Sequence, residues 1–168
     1  MSAPHIDGPA ADSAVAYEAI LRSLPRWFGV ESALQGYVCD TAHLPTFNLR
    51  HDAKLIGFVS MRQHFPRSWE IHCVAIHGDH RSKGYGAALL RHAEAWAVKQ
   101  GARLLQVKTL APSHPSVEYQ QTRSFYERMG FVPLEVFPEL WAPEHPCLQM
   151  IKVLGDTSDL PQLSGSSL

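Results

Sequence analysis

The chain of 168 residues has little cysteine, no excess of charge of either sign and no long apolar run. Its three cysteines, Cys39, Cys73 and Cys147, are an odd number at wide spacings. That argues against a disulfide framework and for a reducing, cytoplasmic setting. The formal net charge of -1 leaves no electrostatic footprint for nucleic acid or an acidic membrane surface. No apolar stretch approaches the roughly 18 residues of a membrane span. Residues 1–12 lack the basic start and apolar stretch of a secretory signal. Histidine is plentiful at ten, but HExxH and CxxC are both missing, and His77 and His80 stand three apart without a Cys or Glu partner. No metal site is expected.

What is present is a 45% apolar chain, enough to build one core. We read residues 1–154 as a single domain and 155–168, polar and rich in Ser and Gly, as a disordered tail. Val15, Ala19, Ile20 and Leu24 have helical spacing, with Ser13 as a cap and Pro25 beyond; a second helix covers 31–39. Residues 46–50 alternate, 51–54 turn and 55–61 return, a hairpin. A third strand at 69–76 is apolar except for Glu70 and His72, and a glycine-rich loop covers 77–86. Tyr85, Leu89, Ala93, Trp96 and Ala97 then share one helix face, closed by Gly101. A strand at 104–110 and a helix from about Ser116 to Met129, closed by Gly130, follow. Strands at 131–137 and 147–153 flank a proline-rich excursion at 138–146. The first strand is short or missing, since only His5 and Ile6 could form it. Interleaved strands and helices give an α/β or α+β domain with a mixed sheet.

The most informative segment is Arg81-x-x-Gly84-x-Gly86, between a strand and a strong helix. Glycines allow close backbone approach to a ligand, and the first helical turn offers unpaired N–H groups with a partial positive charge. Together these suit phosphate oxygens, and Arg81 and Lys83 add charge at the mouth. A P-loop is excluded, because no Gly-Lys-Ser or Gly-Lys-Thr follows. A dinucleotide fingerprint is disfavoured. Leu89 stands where a small residue is needed, residues 77–83 separate the strand from the first glycine, and no acidic residue lies near position 104. The diphosphate of coenzyme A, or a plain glycine turn, remains.

The run Arg81-Ser82-Lys83-Gly84-Tyr85-Gly86-Ala87-Ala88-Leu89-Leu90 resembles the acyl-CoA signature of the GNAT superfamily of N-acetyltransferases. Thr122-Arg-Ser-Phe-Tyr-Glu-Arg-Met-Gly-Phe131 resembles that family's second hallmark, Phe-Tyr on a helix ending in Gly-Phe. Both stand in the family's order, and the resemblance covers about residues 46–153. It implies a mostly antiparallel mixed sheet with helices on both faces. One parallel pair, 69–76 and 104–110, splays to admit acetyl-CoA as cosubstrate. It further implies that the pantetheine arm pairs with the backbone of Val74, Ala75 and Ile76. The diphosphate would then sit on amides of Arg81, Ser82, Lys83, Gly84, Tyr85, Gly86 and Ala87. The Val74 N–H would polarise the thioester carbonyl.

Glu70, four residues before Val74, matches the family's catalytic glutamate. Its ordinary pKa of about 4.3 is low for a direct base, so burial must raise it or water must relay the proton. Strand alternation puts Glu70, His72, Val74 and Ile76 on one face and Cys73 on the other. Tyr126 matches the family tyrosine that protonates the departing thiolate, and it points away from the core-facing Phe125 and Met129. Tyr119 stands where the family often has Asn, on one helix face with Thr122 and Tyr126, and is a coenzyme contact or a packing residue. His64 and His72 are read as ordinary strand histidines or as a wall of the acceptor pocket. Trp141, in its proline-bounded loop, the Phe65-Pro66-Arg67 turn and the two N-terminal helices are candidates for acceptor selection.

The reading is an enzyme that moves acetyl from acetyl-CoA to an amine by direct attack. The acceptor is a small molecule or a protein amine, neither nucleic acid nor membrane is a partner, and the family admits homodimers. Two alternatives stay open: a non-catalytic acyl-CoA sensor on the same scaffold, and a nucleotide-binding switch.

Overall fold

The computed structural model describes residues 3–155. The expected tail therefore lies, apart from Gly155, outside the described residues. The first helical pattern becomes α1 (Ala14–Arg22), which buries Tyr17, Ile20 and Leu21. Ser13 is its N-cap by position, but the Ser13 side chain makes no capping bond. Helix α2 (Glu31–Asp40) buries Leu34 and Val38, four apart on one face. A short first strand does exist: β1 (His5–Asp7) pairs antiparallel with β2 (Thr46–His51). β2 turns into β3 (Lys54–Phe65) through Asp52 and Ala53, both at positive φ, and β3 pairs antiparallel with β4 (Ser68–Ile76).

A one-turn 3-10 helix (Gly78–His80) interrupts what the sequence suggests is a plain loop. Helix α3 (Tyr85–Lys99) buries Leu89, Leu90, Ala93 and Ala97, the expected face, and Gly101 leaves it at φ +92. Strand β5 (Leu104–Leu110) lies parallel to β4. Helix α4 (Val117–Arg128) starts at Ser116, whose hydroxyl accepts the Tyr119 N–H at 3.2 Å. Gly130 follows it at φ +91.

The proline-rich excursion is a correction. β6 (Val132–Ala142) extends into it, with its register broken between Phe137 and Ala142, and β7 (His145–Val153) returns antiparallel, with Phe137 opposite Cys147 and Ala142 opposite His145. The sheet order is β1-β2-β3-β4-β5-β7-β6, so β6 is an edge strand. Pro133 and Pro138 survive there because an edge strand can leave an N–H position unused. Trp141 thus sits on a hairpin strand, not in a long loop.

Helices cover both faces. Leu89, Leu90, Ala93 and Ala97 of α3 and Tyr126 of α4 pack with Phe47, Val59, Ile71 and Val107 into one core cluster. Tyr17, Ile20 and Leu21 of α1 and Leu34 and Val38 of α2 pack with Phe58, Cys73 and Ala75 into a second.

A second correction concerns β4. Ser60 pairs with Cys73 and Met61 with Ile71, so His72 has no partner of its own on β3 and forms a β-bulge. The inserted residue reverses the side-chain phase. Trp69 and Ile71 share the α3 side with Val74 and Ile76, whereas Cys73 and Ala75 turn to the α1–α2 side. The expected single face of Glu70, His72, Val74 and Ile76 does not form, and Cys73 is not opposite Glu70.

Candidate active site

The parallel pairing of β4 with β5 covers Ser68 to Ile71 against Leu104 to Val107 and then stops. Beyond it, β5 stays paired with β7 as far as Leu110, opposite Cys147. The edges of Val74, Ala75 and Ile76 on one strand and of Lys108 and Thr109 on the other therefore diverge. A cavity of about 820 Å³ fills the gap, within the range of small-molecule sites. Free backbone groups on a parted strand can pair with an extended amide chain.

The glycine loop closes one end. Gly84 is the N-cap of α3 at φ +79, a left-handed conformation, and Ser82 is at φ +61. Gly86 serves differently: a Cβ there would meet the Phe125 ring at 3.4 Å. Arg81, Ser82, Gly84, Tyr85, Gly86 and Ala87 line the cavity; Lys83 is exposed and stays outside its wall. This end combines helix N–H groups, glycine clearance and the Arg81 charge, so the residues present fit a diphosphate with an extended amide arm.

The connection between α1 and α2 crosses over the gap. The Arg81 guanidinium lies 3.9 Å from the Trp27 ring centroid. Trp27 Nε1–H donates to Thr122 Oγ1 at 3.0 Å, and the Tyr119 hydroxyl donates to the Trp27 carbonyl at 2.7 Å. Tyr119 lines the cavity with its hydroxyl committed to this bridge, and burial pushes it up to about 12.

Tyr126 lines the cavity and is also buried at 6% exposure, the one fully buried residue of α4. The expected turn away from the core is thus corrected: its ring packs 5.5 Å from Phe125 and 5.7 Å from Phe131. Burial raises its hydroxyl above the ordinary phenol, and among the described residues that hydroxyl has no hydrogen-bond partner.

Glu70 is buried at 5% exposure and is not part of the cavity wall. Lys108 Nζ lies 3.1 Å from both of its carboxylate oxygens, His64 Nε2 lies 2.5 Å from Oε2, and Gln106 Nε2–H donates to Oε2 at 3.3 Å. Burial pushes this carboxyl up, but the His64 hydrogen bond and the Lys108 charge outweigh it and hold Glu70 below the usual range. The upward shift required of a direct base is absent.

His72, carried on the bulge, does line the cavity. Its Nε2 lies 2.7 Å from Asp40 Oδ2, and Arg62 also donates to that oxygen at 3.0 Å. A carboxylate accepts, so this shorter contact calls for the proton on Nε2, which also lies 3.4 Å from Arg62 Nη2. Burial and the nearby Arg62 charge lower the His72 pKa against the opposing pull of Asp40.

Lys108, Asp40 and Trp27 are the functional neighbours that sequence reasoning missed. Gln106 and Lys108, two apart in an apolar strand beside the one carrying Glu70, were the legible signal for the first. Among the described residues no cluster of three or more His, Cys, Asp or Glu could hold a metal ion, and no helix is long and apolar enough to cross a membrane. The three cysteines are free thiols, with Cys39 exposed and Cys73 and Cys147 buried.

A mostly antiparallel sheet whose one parallel pair parts beside a glycine-opened helix defines an acyltransferase scaffold of the kind the sequence resemblance implies. Residues 16–131 match the acetyltransferase (GNAT) family, and the chain belongs to it. It is 37% identical over 71 residues to the tRNA(Met) cytidine acetyltransferase TmcA of Aeropyrum pernix; that match covers 42% of this chain but only 9% of the relative. A GNAT-family protein from Desulfovibrio desulfuricans superposes with a TM-score of 0.76 at 18% identity, covering 90% of this chain and 99% of that one. An aminoglycoside 6'-N-acetyltransferase complexed with coenzyme A superposes with a TM-score of 0.71 at 16% identity, covering 89% and 96%. At these identities the structural likeness speaks for the fold.

Proposed function

We propose that the chain transfers the acetyl group of acetyl-CoA to an amine by direct attack within a ternary complex. The observation that carries this reading is the end of β4–β5 pairing at Ile71 and Val107, which frees the backbone around Val74 beside the glycine loop. The backbone of Val74, Ala75 and Ile76 would hold the pantetheine arm. The amides of residues 81–87, with the Arg81 side chain, would hold the diphosphate. A Val74 N–H aimed at the thioester oxygen would stabilise the negative charge that develops there.

The amine nitrogen forms its bond to the carbonyl carbon as the carbon–sulfur bond breaks. The nitrogen sheds one proton and the thiolate takes one up. His72 suits the first task, because it lines the cavity and its lowered pKa leaves it neutral near pH 7. Tyr126 suits the second, because a neutral phenol with an uncommitted hydroxyl can donate. A proton returned from His72 to Tyr126 through solvent closes the cycle. Glu70 acts at one remove, fixing Lys108 and His64 beside the apex of the gap.

One observation favours a second reading. Glu70 is pinned by Lys108 and His64, as it would be in an acyl-CoA sensor that has given up turnover. Thiol release from acetyl-CoA with a panel of amines separates the two. Turnover that falls in His72→Gln and Tyr126→Phe supports transfer; tight coenzyme A binding without turnover on any amine supports the sensor.

A further inference from the structure

We propose that the acceptor is a single primary amine on a compact aromatic or apolar body, bound without a second positive charge. This rests on the acetyl-transfer reading above and names the substrate class that the aromatic part of the cavity lining fits. Phe28, Tyr37, His72 and Trp141 line the cavity from four different elements of the chain.

Three of the rings form a connected row. Phe28 lies 5.7 Å from Tyr37 edge-on, and Tyr37 lies 5.3 Å from His72. Trp141 lines the same cavity from the β6 hairpin at 45% exposure, an indole left partly open to solvent. Aromatic faces of this kind bury an apolar body and leave its amine to meet His72.

Charge argues the same way. Among the described residues no Asp or Glu lines the cavity. Carboxylates bonded to the cavity wall or close to it in the chain are matched already. Asp40 is held by Arg62 at 3.0 Å and His72 at 2.7 Å, and Glu70 by Lys108 at 3.1 Å and by His64. Glu118 is held by Arg26 at 2.6 Å. The cations on the wall are Arg81, Arg91, Lys108 and Arg128, with His80 beside them. A polycation would bring several ammonium groups into a site with no free carboxylate and would meet Lys108 at its apex. Each such group would lose hydration without gaining a partner. A lone amine can shed its proton on entry, since burial favours the neutral form that attacks.

The full chain with acetyl-CoA tests this, with phenethylamine and tryptamine set against spermidine, kanamycin and a lysine-containing peptide. Thiol release gives kcat/KM, and mass spectrometry identifies the acetylated amine. The arylalkylamines should exceed the polycations at least tenfold. Tyr37→Ala should raise KM for tryptamine about tenfold and leave the Kd of coenzyme A unchanged. Trp141→Glu, at an exposed position that folding tolerates, should shift the preference toward spermidine. Transfer confined to polycations or to the lysine peptide overturns the acceptor class and leaves acetyl transfer standing. So does indifference of every KM to both variants. Coenzyme A binding without transfer to any amine overturns both.

Discussion

Lys108 places its Nζ 3.1 Å from both carboxylate oxygens of Glu70, joining two strands at the point where their backbones stop pairing. With Glu70 at 7% side-chain exposure and Lys108 at 26%, this is a mostly buried ion pair. Its energetics should follow the lowered pKa of Glu70. A carboxyl lowered in the folded state stabilises above its unfolded pKa of about 4.3, and that contribution disappears as pH falls through the folded value. Glu70→Gln should therefore cost about 2 kcal/mol near pH 7, with the gap to wild type closing below about pH 4. Thermal melts of both proteins from pH 7 to pH 3 check this. A gap that stays constant to pH 3 would remove the ion pair from the account.

His72 should set the acid limb of the rate. It must be neutral to accept a proton, and its pKa is lowered by burial and by Arg62 from an ordinary value of about 6.5. The acid limb of kcat/KM should therefore lie at lower pH than an ordinary imidazole would put it. His72→Gln should lose about 100-fold at pH 7 and abolish that limb. Asp40→Asn should keep the limb and lose less, since it disturbs only the tautomer that Asp40 selects. An acid limb unchanged in His72→Gln would assign the base elsewhere.

The two glycines of the loop should fail differently. Gly84→Ala has open space for its Cβ but must hold φ +79, a strain of about 1 kcal/mol. Gly86→Ala has an ordinary backbone, and its Cβ would stand 3.4 Å from the Phe125 ring, an ordinary van der Waals contact. Calorimetry with coenzyme A should show a loss of about tenfold in affinity for Gly84→Ala, about 1.4 kcal/mol. Gly86→Ala, whose backbone needs no left-handed conformation, should lose less. Equal losses in the two variants would mean that the loop has one constraint, not two.

Those glycines were legible in the sequence because each sits at a punctuation point: one ends a loop, the other lies under a helix. β5 was readable to the residue for the same reason, bracketed by Gly101 and Pro112. Two features were not. The bulge at His72 inserts a residue into a run whose alternation is otherwise regular, and a period of two cannot announce where it will be broken. The join between β6 and β7 was hidden by Pro138, Pro143 and Pro146: Pro138 lies on the edge strand β6, where a missing N–H costs little, Pro143 in the turn and Pro146 near the start of β7. Whether a strand is at an edge is a property of the sheet, not of the segment. The partners of Glu70 and His72 were hidden likewise, since Lys108 and Asp40 lie 38 and 32 residues away along the chain.

Tyr126 tests the departure of the thiolate most cleanly, because its ring and its hydroxyl have separable roles. The ring packs against Phe125 and Phe131, whereas the hydroxyl has no hydrogen-bond partner among the described residues. Tyr126→Phe keeps the packing and leaves no group newly unsatisfied, so the melting temperature should hold within about 2 °C. The Kd of coenzyme A should also be unchanged. Only kcat should fall, by about 100-fold, because the proton offered to the leaving sulfur is gone. The effect should shrink for an acyl donor whose thiol is more acidic, since a better leaving group needs less help. A variant that retains wild-type kcat, or one that loses equally with both donors, would leave Tyr126 a packing residue and assign sulfur protonation to water.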